Sequence, residues 1–330
     1  MSVEISAVLV AWNSGDLITA CVESLRASAR SADVGLQLVV VDNASDDDAV
    51  DRVDLREPDI RVRNPVNAGY GVAAAQGLAV AEARWALLVN PDLVVDLGFF
   101  SALAPAMRSA EPNVAALVPE LRYASDPSTV NSRGIAVDEI GVPAEVDLGE
   151  RVVEGLPAQD VLGGSSGCCL LRVDAVREIG GPEPVFFAYL EDVDLALRLQ
   201  EAGYGARFVP DAVAWHEGSA STGEGSPVKT FLVARNRRVL FRLHGPWTVG
   251  PWLWRLVVDP AHALVSSALG DPTAPWRGRI DALRLRRYTG FLRRARTLHD
   301  AQVAPAPRTP RAGLRATLRR KRAATHMTER

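Results

Sequence analysis

WALLVNPDLVVD, residues 85–96, decides the fold. Ala86-Leu87-Leu88-Val89 is a continuous apolar run that stops at Asn90-Pro91-Asp92, and a second run, Leu93-Val94-Val95, follows at once. Proline removes a ladder donor and a carboxylate is costly to bury, so the triplet belongs at a strand's end and not in its middle. A strand apolar at every position is covered on both faces, as parallel strands between helices are. The same texture recurs upstream. Ile5–Trp12, Leu36–Val41 and Trp85–Val89 read as strands, and Asp16–Ala29 and Ala68–Ala83 as helices. The alternation predicts an α/β fold with a mostly parallel central sheet flanked by helices. Ligands of such sheets gather beyond the carboxyl ends of the strands. Here those ends are Ala11-Trp12-Asn13-Ser14-Gly15, Asp42-Asn43-Ala44-Ser45 and Asn90-Pro91-Asp92: each is polar, and two present an aspartate.

The 330 residues are 48% hydrophobic and 23% charged, which excludes bulk disorder and gives ample material for a core. Cys21, Cys168 and Cys169 lack metal-ligand spacing and cannot all pair, so they are expected as buried thiols in a reducing compartment. The opening MSVEISAVLVAW has no basic flank and no cleavage-like site and reads as a first strand, not a signal peptide. No uninterrupted apolar run reaches the length of a spanning helix. Charge is unevenly placed: the chain is −3 overall, yet residues 276–330 hold 16 Lys and Arg against 3 Asp and Glu. A basic tail on an acidic body predicts an anionic partner, nucleic acid or membrane.

Further along, Gly163-Gly164-Ser165-Ser166-Gly167 is a small-residue turn feeding the strand Cys168–Arg172. Glu191–Ala202 and Thr230–Leu243 read as helices and Ala206–Trp215 as a strand ending in His216. Several side chains admit a chemical and a structural reading. Asp92 suits Mg²⁺ or Mn²⁺, and equally the turn chemistry of Asn-Pro-Asp. Asp42 and Asn43 suit a base or ribose, or a cap before the acidic run at 46–48. Asn67-Ala68-Gly69-Tyr70-Gly71 opens a helix where backbone N–H groups meet an anion, or where Asn67 is a cap. Glu191, Asp192 and Asp194 follow an aromatic wall, Phe186-Phe187-Ala188-Tyr189. Helix-start acids and an Asp194–Arg198 pair explain part of this, and a general base explains why acids abut apolar surface. His216 is a metal ligand or a structural imidazole, with Gly218–Ser221 as a loop able to close over phosphate. Arg235-Asn236-Arg237-Arg238 is a solvated basic face or a diphosphate clamp.

In order, the stretches VLVAWNSGDLITACVESL, VVVDNASDD, NPVNAGYGVAAAQGL, WALLVNPD, GGSSGCCLLR, FFAYLEDVDLALRLQEAGY, WHEGSAS and ARNRR resemble family 2 glycosyltransferases of the GT-A fold, and their rhamnosyltransferase-like branch, over roughly residues 3–240. The resemblance implies roles. Ala11, Trp12, Asn13, Asp42 and Asn43 fall at the nucleoside, Asn67 and Gly69 beside ribose and phosphate, and Arg235 on the donor. Asn90-Pro91-Asp92 stands at the Asp-x-Asp signature with Asp92 as metal ligand, and Asn90 in place of its first acid. His216 completes the metal site. Asp192 is the general base, with Glu191 beside it in the acceptor pocket. GGPEPVFFAY is looser than the family's Gly-Phe-Asp-Glu pattern. The implied enzyme is an inverting hexosyltransferase that uses Mg²⁺ or Mn²⁺. Its donor would be a nucleotide sugar, dTDP-L-rhamnose first and UDP-linked sugars next. Its acceptor would be a glycan or polyprenyl-diphosphate-linked glycan of cell-wall or polysaccharide biosynthesis. Two alternatives stand beside it. A nucleotidyltransferase would want a basic Gly-rich loop near residue 13, which is lacking; a non-catalytic membrane or nucleic-acid adaptor would act through the tail.

The expected organisation is a catalytic region over 1–225, with a nucleotide half to about 95 and an acceptor half from about 96. A helical Trp/Arg-rich region (226–302) and a disordered basic tail (303–330) follow. Trp247, Trp252 and Trp254, then Ile280, Leu283, Leu285, Tyr288, Phe291 and Leu292 among arginines, predict a surface-lying amphipathic element. A helical cap packed on the catalytic region is the alternative. The expected location is cytoplasmic, peripheral on the inner face of the cell membrane.

Overall fold

The structure, a computed structural model, describes residues 2–138, 141–217, 226–245, 254–268, 271–290 and 292. The expected loop at Gly218–Ser221, the side chains of Trp247, Trp252, Trp254 and Phe291, and the tail 303–330 lie outside the described residues.

Four parallel strands form the first part of the sheet: β1 (Ile5–Ala11), β2 (Leu36–Asp42), β3 (Ile60–Arg63) and β4 (Trp85–Val89), in the spatial order β3-β2-β1-β4. Helices α1 (Leu17–Ser31) and α2 (Tyr70–Val80) connect them. The sheet continues through β11 (Cys168–Arg172), antiparallel to β4, then β6 (Val114–Tyr123) and β12 (Gly205–His216), which are parallel to each other. Short β5 (Leu93–Val95) pairs antiparallel with the end of β12, β7 (Val130–Ser132) pairs with β6, and β10 (Gln159–Val161) pairs with β12. A two-stranded ribbon, β8 (Ile135–Val137) with β9 (Pro143–Glu145), lies apart from it.

Period-2 geometry divides each strand between two cores. Ile5, Ala7, Leu9 and Ala11 of β1 face α1 and α3 (Phe99–Ser109), where Phe99 and Phe100 are fully buried. Val8 and Val10 face α2 and the later helix α5 (Glu191–Glu201), meeting Ala73, Leu78, Leu195 and Leu199. The rule separates the adjacent cysteines: Cys168 joins the first core and Cys169 the second. All three cysteines are free and buried as expected, and burial raises each thiol's pKa, that of Cys169 to about 12. Helix α4 (Val173–Glu178) follows β11. A Cβ on Gly77 would lie 2.3 Å from Val8 Cγ1, so glycine lets α2 seat directly on β1.

A third core joins α5 to α6 (Pro227–His244) through Phe186, Val193, Leu197, Val239, Leu240 and Leu243. Its polar centre is Asp194, fully buried. Asp194 accepts from Arg198 Nε at 2.8 Å, as the i,i+4 spacing predicts, and pairs with His244 Nε2 at 2.8 Å. Burial works against a charged His244, but Asp194 and Glu201 outweigh it and raise the imidazole's pKa. Helices α7 (Asp259–Ala268) and α8 (Ala274–Arg284) follow in the C-terminal region. Helix α8 turns its small residues Ala274, Gly278 and Ala282 inward; a Cβ on Gly278 would meet Phe231 O of α6. Its larger residues Trp276, Ile280 and Leu283 are exposed, as are Leu264 and Val265 of α7. The amphipathic element therefore packs on the body through its small face with Leu285 and Leu292, and leaves Trp276, Ile280, Leu283 and Tyr288 in solvent.

Candidate active site

The carboxyl ends of β1 and β2 are stitched together with the loop before α2. Asn13 Oδ1 accepts from Asp46 N at 2.7 Å, Asn13 N donates to Ser45 Oγ at 3.1 Å, and Asp42 Oδ1 accepts from Ser45 N at 3.0 Å. Trp12 stands over this end, 37% exposed, while Ala11 is fully buried and offers only backbone. Asn43, expected on the donor, has another task. It is 2% exposed; its Oδ1 accepts from Asn64 Nδ2 and Ala68 N, and its Nδ2 donates to Asn67 Oδ1. Its amide is spent on fixing the 64–69 loop, so its part is positional. Asn67 is not the helix cap: Gly69 holds that place, and Asn67 Oδ1 accepts the Gly69 N–H at 2.9 Å.

Asp92 and His216 meet across the β5–β12 ladder, which pairs Leu93 with His216, and Glu217 N donates to Asp92 O at 3.1 Å. His216 Nε2 and Asp92 Oδ2 stand 3.3 Å apart. His216 Nδ1 is 3.0 Å from Asn131 Oδ1, an acceptor, so the tautomer that keeps this bond in a neutral ring carries its proton on Nδ1 and turns the Nε2 lone pair toward Asp92. That buried Nε2 makes no hydrogen bond, although a carboxylate oxygen faces it. Two electron-rich atoms set face to face suit a shared cation. Adjacent ligands of an octahedral ion with bonds near 2.1 Å stand about 3 Å apart. A histidine with its second nitrogen tied to a carbonyl is also the usual arrangement of a ligating imidazole. The residues present therefore fit a divalent metal completed by phosphate and water. Among the described residues no group of three or more His, Cys, Asp or Glu could hold a metal without such help.

The turn at 165–167 ties this centre to the acidic pair. Asn90 N donates to Gly167 O at 2.8 Å; Ser166 N donates to Asp192 Oδ2 at 3.2 Å; Tyr70 Oη donates to Ser166 O at 2.7 Å. Asn90, two residues before Asp92, and Asp192 thus bond to one three-residue turn from distant parts of the sequence. Glu191 is 6% exposed, and its Oε2 has no hydrogen-bond partner. Burial first, and the neighbouring Asp192 carboxylate second, push its pKa up to about 8.

The loop that delivers this pair is strained. Phe187 (φ 63°, ψ −66°), Tyr189 (φ 68°) and Leu190 (φ 66°, ψ 5°) all have positive φ without being glycine. Ala188 N donates to Phe186 O at 2.7 Å, closing a γ-turn on Phe187 of the rare positive-φ kind. Each such residue costs on the order of 1–3 kcal/mol, and such strain collects at functional sites. Phe187 also sits against the donor-side loop: a Cβ on Gly69, at φ +87°, would lie 2.6 Å from Phe187 O.

Arg235 is the second correction. Its Nη2 donates to Val185 O at 3.0 Å and Phe186 O at 2.7 Å, and its Nε to Asn236 Oδ1 at 2.9 Å. The guanidinium grips the backbone of the aromatic loop. Sequence reasoning also missed Asn131, Tyr70, Ser166 and Asn236 as site residues. The Gly-Ser turn and the ARNRR run were visible, but nothing in the sequence tells which distant backbone they touch.

Comparison with known proteins gives consistent matches. The profile of a family described as "Glycosyltransferase like family 2" matches residues 3–239. An N-acetylglucosaminyl-diphospho-decaprenol L-rhamnosyltransferase of Mycobacterium tuberculosis is 30% identical over 263 residues, covering 71% of this chain and 85% of that protein. A pre-mycofactocin glycosyltransferase of the same species is 27% identical over 220 residues, covering 65% of this chain and 43% of that protein. Among solved structures, GalNAc-T7 with UDP, GalNAc and Mn²⁺ aligns with TM-score 0.57 at 17% identity, covering 85% of this chain and 54% of that one. The mannosyltransferase PcManGT of Pyrobaculum calidifontis, with GDP-Man and Mn²⁺, aligns with TM-score 0.53 at 15% identity, covering 98% and 86%. At these identities the structural likeness speaks for the fold.

Proposed function

Because the chain belongs to glycosyltransferase-like family 2 and has the GT-A fold, we propose that it is an inverting sugar transferase with Asp192 as base. Its donor is a nucleotide-diphosphate sugar, dTDP-L-rhamnose first, and its acceptor a hydroxyl of a polyprenyl-diphosphate-linked glycan. The observation that carries the reading is the 165–167 turn, which bonds Asn90 of the Asn-Pro-Asp triplet on one side and Asp192 on the other, while His216 faces Asp92. The rhamnosyltransferase relative supports the sugar and the lipid-linked acceptor.

In this reading the strand ends of β1 and β2, with Trp12, Asn13 and Asp42, hold the nucleoside. Asn67 and Gly69 lie along ribose and phosphate, and Asn90 lines the floor between donor and acceptor. Asp92 and His216 would hold Mg²⁺ or Mn²⁺, which when bound neutralises negative charge on the departing diphosphate. Asp192 takes the proton of the acceptor hydroxyl as its oxygen bonds to the anomeric carbon from the face opposite the diphosphate. The C–O bond to the diphosphate breaks, and its electron pair leaves with the nucleotide. One displacement inverts the anomeric centre without a covalent enzyme intermediate. Glu191, holding its proton at neutral pH, sits beside the base as a hydrogen-bond donor toward the acceptor.

Leu256, Val257, Leu264, Val265, Ile280 and Leu283 are exposed beside Arg277, Arg284 and Arg287, which suits peripheral contact with an anionic bilayer near a lipid-linked acceptor. No helix among the described residues is long and apolar enough to cross a membrane.

The test is sugar transfer from a panel of dTDP-, UDP- and GDP-sugars to lipid-linked N-acetylglucosamine with Mg²⁺ or Mn²⁺. Asp192→Asn is expected to lose about 10²–10⁴-fold in kcat while still binding donor. Normal transfer by Asp192→Asn defeats the mechanism, and a product that retains the donor's anomeric configuration defeats the single displacement.

A further inference from the structure

The ARNRR run on α6 has no part in the chemistry just described, yet Asn236 is completely buried and every polar atom of its amide is engaged. Its Nδ2 lies 2.8 Å from Phe186 O, 2.7 Å from Ala188 O and 2.7 Å from Tyr189 O. Its Oδ1 accepts from Arg235 Nε, which fixes which way the amide points. Arg235 itself adds Val185 O and a second bond to Phe186 O. Of the five carbonyls from Val185 to Tyr189, four are thus held by two adjacent residues of one helix. The fifth, Phe187 O, lies 3.4 Å from Gly71 N at the start of α2.

This is the segment with three positive-φ residues, and Glu191 and Asp192 follow it immediately. A chain released from these hydrogen bonds would relax Phe187, Tyr189 and Leu190 toward negative φ, because nothing local favours the strained form. Relaxation would rotate the start of α5 and move Asp192 off Ser166 N.

We infer that Arg235 and Asn236 are positioning residues: they hold the strained 185–190 loop in the conformation that aims Asp192 at the acceptor. The pair acts by gripping the backbone and touches neither substrate. The inference rests on the reading of Asp192 as the base, and it assigns the motif a role in kcat, where a diphosphate clamp would act on donor affinity.

The experiment measures kcat, donor Kd and amide hydrogen exchange for Asn236→Ala and Arg235→Met in the full chain. A misplacement of about 1 Å costs about 100-fold, so Asn236→Ala is expected to lose about 100-fold in kcat, with donor Kd within about threefold. The Ala188 amide should exchange about tenfold faster, and the amides of β1 and β4 should not change. Arg235→Met, which spares Asn236, is expected to lose about tenfold in kcat at unchanged donor Kd. A folded Asn236→Ala with kcat within about threefold of the parent overturns the inference. So does Arg235→Met with donor Kd weakened about tenfold and kcat kept, since the guanidinium would then serve the diphosphate. Should Asn236→Ala fail to fold, the Arg235→Met split decides alone. Asp192→Asn, run in parallel, separates the two levels: its normal transfer defeats the base, whereas the exchange at Ala188 reports the grip on the loop whatever the base is.

Discussion

Glu191→Gln isolates one buried carboxyl, and its effect on stability follows from its surroundings. The folded protein holds the Glu191 proton up to about pH 8, against 4.5 for an ordinary glutamate. The sign follows from proton counting. Between these values the folded state binds the proton and the unfolded chain does not, so rising pH favours unfolding. Each pH unit in that window costs about 1.4 kcal/mol. The penalty is therefore below about 1 kcal/mol at pH 5 and roughly 3 kcal/mol at pH 7. Glu191 is 6% exposed, so solvent does not screen it away. Glutamine keeps the shape and cannot ionise. Denaturant melts of both proteins at half-unit steps from pH 5 to 8 give the difference in stability, in which titrations away from the Glu191–Asp192 pair cancel. The variant should gain steadily on the parent as pH rises, a lead on the order of 5 °C in Tm near neutrality. A difference that stays flat across that range would refute the buried, protonated Glu191, and with it the hydrogen-bond donor proposed beside the base.

Three other outcomes follow from contacts described above. Gly69→Ala places a methyl against the Phe187 backbone at a φ only glycine tolerates, so melting should show a loss of about 2 kcal/mol or more, and kinetics a lower kcat. His216→Ala leaves Asp92 as the lone ligand on its side, so Mn²⁺ titration in the presence of dTDP should show affinity at least about tenfold weaker. Asp194→Ala strips Arg198 and His244 of their shared buried anion, and denaturant melts should register a loss of about 3–5 kcal/mol.

The apolar strands over 5–11, 36–42 and 85–89 were legible because continuous hydrophobic runs with polar exits have one physical explanation. Strand Ile60–Arg63 escaped notice: at an edge, half of its residues face solvent and its composition is that of a loop. Asp92, Asp192 and His216 could be singled out because each lies at the end or start of a regular element; the structure sets His216 against Asp92 and bonds Asp192 to the turn that also holds Asn90. Arg235 and Asn43 show where such reading stops. Their types suit phosphate and nucleoside, but a residue's partners depend on which backbone lies opposite, and composition holds no record of that. Nothing local announces the strained segment either. Phe-Phe-Ala-Tyr-Leu contains no glycine, and only the carbonyl contacts from α6 explain how it bends.

The β5–β12 ladder carries one more implication. Leu93 to Val95 zips onto Ala214 to His216, with Asp96 N bonded to Val213 O at the far end. Between the two halves of this clasp run β6 and β11, which lie in the same sheet, so clasp and sheet together fix Asp92 against His216. Changes confined to surface turns of that span, away from the β6–β12 ladder, Asn131 and the 165–167 turn, would leave the spacing of Asp92 and His216 undisturbed. Sliding the clasp by one residue, by contrast, would throw the imidazole to the sheet's other face.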